Sequence, residues 1–360
     1  MAETAYQILV INPGSTSTKL ALYANEVPSF TETLRHPDSE LAPFVKLPII
    51  AQLELRLAKV LEILRTQNID RKHVDAVVGR GGLLKPLASG TYRVNERMLD
   101  DLRRAERGDH ASNLGAFIAQ RLAAQAACPA FIVDPVSVDE WPPVARLSGL
   151  ADLDRECLSH ALNTKAIAKR FAREHSKAYE EMRLIVAHLG SGISISAHEN
   201  GKMIDVTNSR EEGAFSTERA GTLPVMKLVD LCFSGKFSRH ELETKIFREG
   251  GIFSYLGTKD LDEVLRRMHA GDEQARLVFA GMIYQISKEI GAMAAVLSGR
   301  AQAILLTGGM VHAPEVVAAL RERIGWIAPT YCYPGEDEMQ ALAEGALRVL
   351  RGEEQALEYL

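Results

Sequence analysis

Cysteine is scarce: Cys128, Cys157, Cys232 and Cys332 are widely spaced and form no CxxC pair and no metal-ligand cluster, so cytoplasm is the expected compartment. Basic charge is not in excess either. A net charge of -5, a pI near 6.1 and interspersed Lys, Arg, Asp and Glu offer no field for nucleic acid, so no nucleic-acid partner is expected. Long apolar runs are missing. Ile8 to Ile11 is too short for a signal peptide or a membrane span, and Met1 to Gln7 carries an acid without a positive n-region. The stretches Ala116 to Val133 and Ile290 to Leu306 are each interrupted, by Arg121 and Arg300, which points to buried helices and strands and no membrane association. No GxxxxGK[ST] loop occurs, which disfavours P-loop folds, and there is no low-complexity linker.

What is present is a chain of 360 residues, 46% hydrophobic and 25% charged, long enough to bury two ordinary cores. It repeats itself at about half its length. Tyr6 to Tyr23 reads as a buried strand, a turn of small and hydroxyl residues and a second strand, and Arg183 to Ala197 repeats that order. Helical and strand patterns alternate around the two hairpins. Leu53 to Arg65, Asn113 to Ala127, Asp152 to Glu174, Leu277 to Leu297 and Asp337 to Gly352 read as helices; Ala76 to Val78, Ala130 to Val133 and Ala303 to Leu306 read as buried strands. The fold class expected is α/β, with two related lobes facing each other across a cleft.

A turn rich in Gly, Ser and Thr presents backbone N–H groups and hydroxyls, and its small side chains let a phosphate come close. Lys19 stands just beyond the first turn and could neutralise phosphate charge. One such turn is equally an ordinary polar hairpin; two, in the same context, point to phosphate. Leu305-Leu-Thr-Gly-Gly-Met310 ends a buried strand in paired glycines, suited to a nucleotide at the strand's carboxyl end or to a tight turn into the helix around Pro314. Asp134 ends another strand, where a carboxylate could organise Mg²⁺, take a proton or cap the next segment. Arg80 follows a strand and is flanked by glycines that would clear space around its guanidinium, which suits an anion better than a surface ion pair.

These motifs, in this order, resemble the acetokinase family, its butyrate kinases in particular, along nearly the whole chain. Asn12-Pro-Gly-Ser-Thr-Ser-Thr-Lys19 is similar to that family's first phosphate loop, His188-Leu-Gly-Ser-Gly192 to its second, and Thr307-Gly-Gly309 to its adenosine-side turn. The resemblance implies duplicated actin-like, ribonuclease H-like lobes, with residues 1–155 and 337–360 as the acyl-substrate lobe and 156–336 as the nucleotide lobe. It implies ATP or ADP on Asn12, Gly14, Ser15, Ser17, Lys19, His188, Gly190, Ser191, Gly192, Gly308 and Gly309, and catalytic roles for Arg80, Asp134, His160, His188 and Arg219. Mg²⁺ falls to Asn12 with Glu338 or Glu336, the register being open by a residue or two. Read alone, His160 is a packing histidine inside a helix, and the two acids are residues favoured at a helix start. A homo-oligomer is also implied.

The implied reaction is reversible transfer of the ATP γ-phosphoryl to a small carboxylate by direct in-line attack. Such an acceptor, with a pKa of roughly 4 to 5, is ionised at neutral pH and needs no general base. Two arginines and Mg²⁺ would screen its approach to the phosphate, with lobe closure excluding water. Where acetate kinases carry bulky valines after the arginine, Gly81 and Gly82 stand here, and Ser159 stands where they have Phe. The lost volume is expected to widen the substrate pocket for butyrate, with isobutyrate as a further candidate. Sugar kinases would need Asp134 as a true base and leave the arginines without purpose. Actin-like or chaperone-like ATPases would need a partner-binding insertion for which the chain has no length.

Overall fold

The computed structural model describes residues 5–360, so the part of the leader reading that rests on Met1 to Thr4 lies outside the described residues. The chain divides into two compact units: one runs through Asp139 and takes back Asp337–Leu360, and the other is Glu140–Glu336.

In the first unit β1 (Gln7–Pro13), β2 (Ser17–Ala24) and β3 (Val27–Arg35) form an antiparallel meander. On the other side of β1 lie β4 (Ala76–Arg80), then β6 (Ala130–Val133), both parallel to it, with β5 (Thr91–Arg93) antiparallel beside β6 and the short strand Leu357–Glu358 at the edge. Ile8 to Ile11 are fully buried because helices cover both faces of the parallel strands. The helix Glu338–Leu350 lies on β1, β4 and β6 so closely that a Cβ on Gly345 would sit 2.5 Å from Val133 Cγ2. The helices Leu53–Thr66 and Leu114–Ala126 share the core of Leu9, Ile11 and Val77.

The second unit repeats the plan. Here β7 (Arg183–Leu189), β8 (Ile193–Glu199) and β9 (Lys202–Val206) form the meander, and β10 (Ala303–Gly308) and β11 (Thr330–Pro334) run parallel to β7. Its order, β9-β8-β7-β10-β11, matches β3-β2-β1-β4-β6 in sequence and direction. The expected duplication in α/β form is therefore present. The long helix Glu273–Val296 buries Val278, Met282, Ile286 and Ile290, four apart, against Ile185, Ala187 and Ile195.

The helix read from Asp152 starts only at Ala161, and the stretch from Glu140 to Arg155, expected in the first lobe, groups with the second unit. Arg155 is the physical reason. Its guanidinium lies 4.6 Å over the Trp141 ring and donates to the Glu212 carboxylate at 2.8 and 2.9 Å, to Asp205 Oδ1 at 3.1 Å and to the carbonyl of Ala145 at 2.7 Å. Glu140 Oε2 accepts from Lys165 Nζ at 2.5 Å and from Met203 N at 3.0 Å. A segment held by so many fixed polar partners is tied to β9 and its neighbours before the helix begins.

Candidate active site

In the first unit the parallel register lines up the ends of three strands. Ile11 pairs with Gly79 and Arg80 with Val133, so Asn12, Arg80 and Asp134 follow one another along the carboxyl edge of β1, β4 and β6, where α/β sheets bind ligands. Asn12 is buried, and its Nδ2 donates to Glu338 Oε2 at 2.7 Å. Glu338, at the start of its helix, also forms an ion pair with Arg80. Arg80 is 9% exposed, and its Nε is buried without a hydrogen-bond partner. An orphaned guanidinium N–H is costly, and its natural complement is an anion.

Asp134 is 3% exposed and holds φ 36°, left-handed for a residue with a side chain. Its Oδ1 accepts from Ser89 Oγ at 2.6 Å and from Gly90 N at 2.8 Å, so this carboxylate fastens the loop that enters β5. Lys19 is exposed on β2 directly opposite Asn12, on the same side of the sheet. Ser15 is exposed at the tip of the turn, and Gly14 and Ser17 are part-buried at its base.

The glycines beside Arg80 do not open a pocket. A Cβ on Gly81 would lie 2.5 Å from Pro135 Cβ, and one on Gly82 would lie 2.4 Å from Asn113 Oδ1 and 2.7 Å from Asn113 Cα. Gly79 is equally filled, 2.2 Å from the carbonyl of Gly115 where the helix Leu114–Ala126 begins. The volume these residues lack is occupied by neighbouring backbone. The expectation that Gly81 and Gly82 enlarge a substrate pocket, or clear space for Arg80, is corrected. Ser159 fails in the same way: it is buried in the second unit with Oγ 3.7 Å from Met203 Sδ, facing packed side chains.

In the second unit His188, near the end of β7, is 1% exposed. Its Nδ1 lies 3.1 Å from Asn163 Oδ1 and its Nε2 3.1 Å from Glu336 Oε1. His160 is the residue before the helix Ala161–Glu174, not inside it, and its ring stacks on that of His188 with centroids 3.8 Å apart at 11°. Its Nδ1 lies 2.9 Å from Ser194 Oγ. Glu336 thus belongs with His188, and Glu338 with Asn12. The open choice between the two acids resolves into two different settings.

Arg219 lies against the second hairpin turn. A Cβ on Gly192 would be 2.7 Å from its Nη1, so only glycine lets the guanidinium rest there. Nη1 donates to the carbonyl of Ser209 at 3.1 Å, and no ion pair offsets the charge among the described residues. Burial pulls its pKa below the usual arginine value, with a smaller upward pull from Glu218. Ser216 Oγ donates to the carbonyl of Ser191 at 2.5 Å and accepts from Arg219 N at 3.1 Å, tying the arginine's segment to the turn. Gly308 has φ 96° and exchanges backbone hydrogen bonds with Gly335 at 3.0 and 3.1 Å, so it shapes the strand end; Gly309 has open space where a side chain would be. A cavity of about 690 Å³ within this unit is lined by Gly190, Ser191 and Gly309 together with Asp260, Arg266 and His312. Its volume suits a nucleotide-sized ligand.

Several polar residues were missed by sequence reasoning. Arg56, Asn163 and Ser194 are buried and hydrogen-bonded to the turns or histidines just described. The only signal was a polar residue at an apolar position of a helix or strand pattern.

Residues 155–324 match the sequence model of the Acetokinase family. The chain is 48% identical over 356 residues to a probable butyrate kinase of Clostridium botulinum (strain Alaska E43 / Type E3), covering 99% of this chain and 100% of that one. Among solved structures it is similar to the acetate kinase of Porphyromonas gingivalis, with TM-score 0.78 and 19% identity over 96% of this chain and 100% of that one. It is also similar to a propionate kinase of Francisella tularensis, with TM-score 0.72 and 16% identity over 94% of this chain and 98% of that one. At those identities the two structures speak for the fold, which is the duplicated actin-like one.

Proposed function

The chain belongs to the acetokinase family and is a kinase of short-chain carboxylates; from that premise we propose that butyrate is its preferred acceptor, in the reversible reaction butanoate + ATP = butanoyl phosphate + ADP. The observation that carries the site assignment is Arg80: a buried guanidinium at a strand end with one N–H unsatisfied is prepared for a carboxylate or a phosphoryl oxygen. A carboxylate oxygen attacks the γ-phosphorus in line, the bond to the β-phosphate oxygen breaks, and no proton has to move.

In this reading Arg80 receives the carboxylate, and Arg219 stabilises charge on the equatorial oxygens of the phosphoryl group. His160 and His188 form a stacked pair, with ring nitrogens held by Ser194, Asn163 and Glu336, and serve to position the transferring phosphoryl group. Asp134 positions the loop at Ser89 and Gly90. The second unit takes the nucleotide, in the cavity at Gly190, Ser191 and Gly309.

Asn12 and Glu338 offer one amide and one carboxylate, a sparse set of hard oxygen donors that fits Mg²⁺ accompanied by waters and phosphates. When bound, Mg²⁺ would neutralise phosphate charge. Cytoplasm and a homo-oligomer complete the proposal.

Trapping the acyl phosphate as its hydroxamate, across acetate, propionate, butyrate and isobutyrate with a sugar as control, tests it. Each further buried methylene is worth about 0.8 kcal/mol, so kcat/KM should rise about tenfold from acetate to butyrate. A flat or falling series overturns butyrate, and ADP formed with the sugar but with none of the carboxylates overturns the carboxylate.

A further inference from the structure

The turn between β1 and β2 is held from within by a cation that has no anionic partner among the described residues. Arg56, on the helix Leu53–Thr66, is 0% exposed. Its Nη1 donates to the carbonyls of Gly14 at 2.8 Å and Ser17 at 3.1 Å and to Thr18 Oγ1 at 3.2 Å. Its Nη2 donates to the carbonyl of Ser15 at 3.0 Å. Gln52 Oε1 accepts from Nε at 3.0 Å and from Nη2 at 2.8 Å, which fixes the plane of the guanidinium. The remaining turn carbonyl, that of Thr16, accepts from His36 N at 2.8 Å.

Every carbonyl from Gly14 to Ser17 is therefore engaged by a donor of the protein itself. Ser15 and Thr16 are exposed, and among the described residues no acceptor takes their backbone N–H groups. The outward side of the turn is left with N–H and hydroxyl donors, the arrangement that binds anions.

We propose that Arg56 is a positioning residue for phosphoryl transfer: by holding the turn's carbonyls inward it makes the outward face of the turn at Ser15 and Thr16 a set of donors for the phosphoryl group. The proposal rests on the reading that this hairpin handles phosphate. A purely structural need would be met more cheaply. Carbonyls at an exposed turn are satisfied by water, and an apolar residue would pack the helix without desolvating a charge. Burial lowers the Arg56 pKa to about 10, which leaves it charged at neutral pH. Lysine cannot substitute, because a single ammonium with three donors cannot span four turn oxygens and Gln52 in one plane.

The test compares Arg56→Lys and Arg56→Gln with Val60→Ala, a buried change in the apolar core on the same helix. Arg56→Lys should lower kcat by about 100-fold with KM for butyrate within about threefold, since Arg80 is intact. Val60→Ala, matched to it in melting temperature, should keep kcat within about twofold. Equal losses in the two variants would make Arg56 merely structural and overturn the proposal. If both Arg56 variants fail to fold, Gln52→Leu, which frees the guanidinium but keeps it, takes their place with the same directions expected.

A second readout does not need the reaction. The ¹⁵N–¹H resonances of Ser15 and Thr16 should shift when inorganic phosphate is added to the wild-type protein and stay put in Arg56→Gln. Shifts that persist in the variant overturn the proposal. A wild-type protein whose Ser15 and Thr16 respond to phosphate but which forms no acyl phosphate leaves Arg56 supported and overturns the assigned reaction instead.

Discussion

Gly192→Ala separates the catalytic role proposed for Arg219 from what holds the fold. The added Cβ would lie 2.7 Å from Arg219 Nη1 and 2.9 Å from its Cζ, where ordinary contact begins at 3.4 Å. The guanidinium must therefore retreat by about 0.7 Å. Gly192 does not occupy the left-handed region, so alanine brings no backbone strain, and the atoms that yield are the far end of a flexible side chain. The cost in stability should stay below about 1 kcal/mol, or about 1 to 2 °C in melting temperature for a chain of this size.

Catalysis is less forgiving. A misplacement of about 1 Å in a group that meets the transition state can cost about 100-fold, so kcat for acyl phosphate formation should fall by roughly 30- to 100-fold. Hydroxamate trapping at saturating butyrate and ATP gives kcat, and a thermal melt gives stability. Gly308→Ala is the contrast: φ is 96° and the Cβ would meet the carbonyl oxygen of Leu189 at 2.4 Å, so strain and a backbone clash should destabilise by about 2 to 4 kcal/mol. Wild-type kcat in Gly192→Ala would refute the role given to Arg219 at its observed position. A large loss of stability there would refute the claim that the displacement is local.

Acidification should weaken the first unit through His36, which is buried with Nε2 2.9 Å from Thr18 Oγ1. Burial foremost, then the charges of Arg56 and Lys59, pull its pKa from 6.5 to about 4 against an opposing pull from Glu40. Below pH 6.5 the unfolded chain takes a proton that the folded one refuses, so up to about 3 kcal/mol is lost between pH 6.5 and 4 and none further below; urea melts across that range should show it, and His36→Asn should flatten it. Glu338→Gln should raise the Mg²⁺ concentration for half-maximal rate by about tenfold or more, while Glu336→Gln leaves it within about twofold; equal effects in Mg²⁺ titrations would refute the assignment to Glu338.

The duplicated plan was legible because its signal is local: a buried apolar strand, a small-residue turn and a second strand recur in each half, and each is followed by further apolar strands. Asn12, Arg80 and Asp134 were legible as strand ends, and parallel register then placed them on one edge. What could not be read depends on partners distant in sequence. Gly81 and Gly82 look like missing bulk until Pro135 and Asn113 are seen filling the space. Arg56 sits in a helical pattern as one more polar residue, and nothing local says that Gly14, Ser15 and Ser17 lie against it. The delayed start of the helix at Ala161 follows from Arg155 and its acids on a later strand and loop. The helices Val225–Cys232 and Arg239–Phe247 bury no residue, so they carry no core-facing stripe for a periodicity argument to find.

The two hairpins also differ in how each is served by arginine, and the difference bears on the acceptor. In the first unit Arg56 is spent on the turn's own carbonyls, so the turn offers donors, with exposed Lys19 just beyond it; the arginine left with a donor for a ligand is Arg80, ion-paired to Glu338 but with its Nε unsatisfied. In the second unit a single residue, Arg219, both packs on the turn at Gly192 and keeps its charge unpaired among the described residues. Each unit thus retains one arginine suited to an anion. For a neutral hydroxyl acceptor one of them would be idle and a base would be needed, yet the buried carboxylate Asp134 is committed through Oδ1 to Ser89 and Gly90. For an ionised carboxylate no base is required, and two like-charged reactants must be drawn together. Two arginines and a carboxylate fixed in a positioning role are what that second chemistry calls for. The preference for a carboxylate therefore stands on the site's charges, independently of the pocket volume that Gly81 and Gly82 failed to supply.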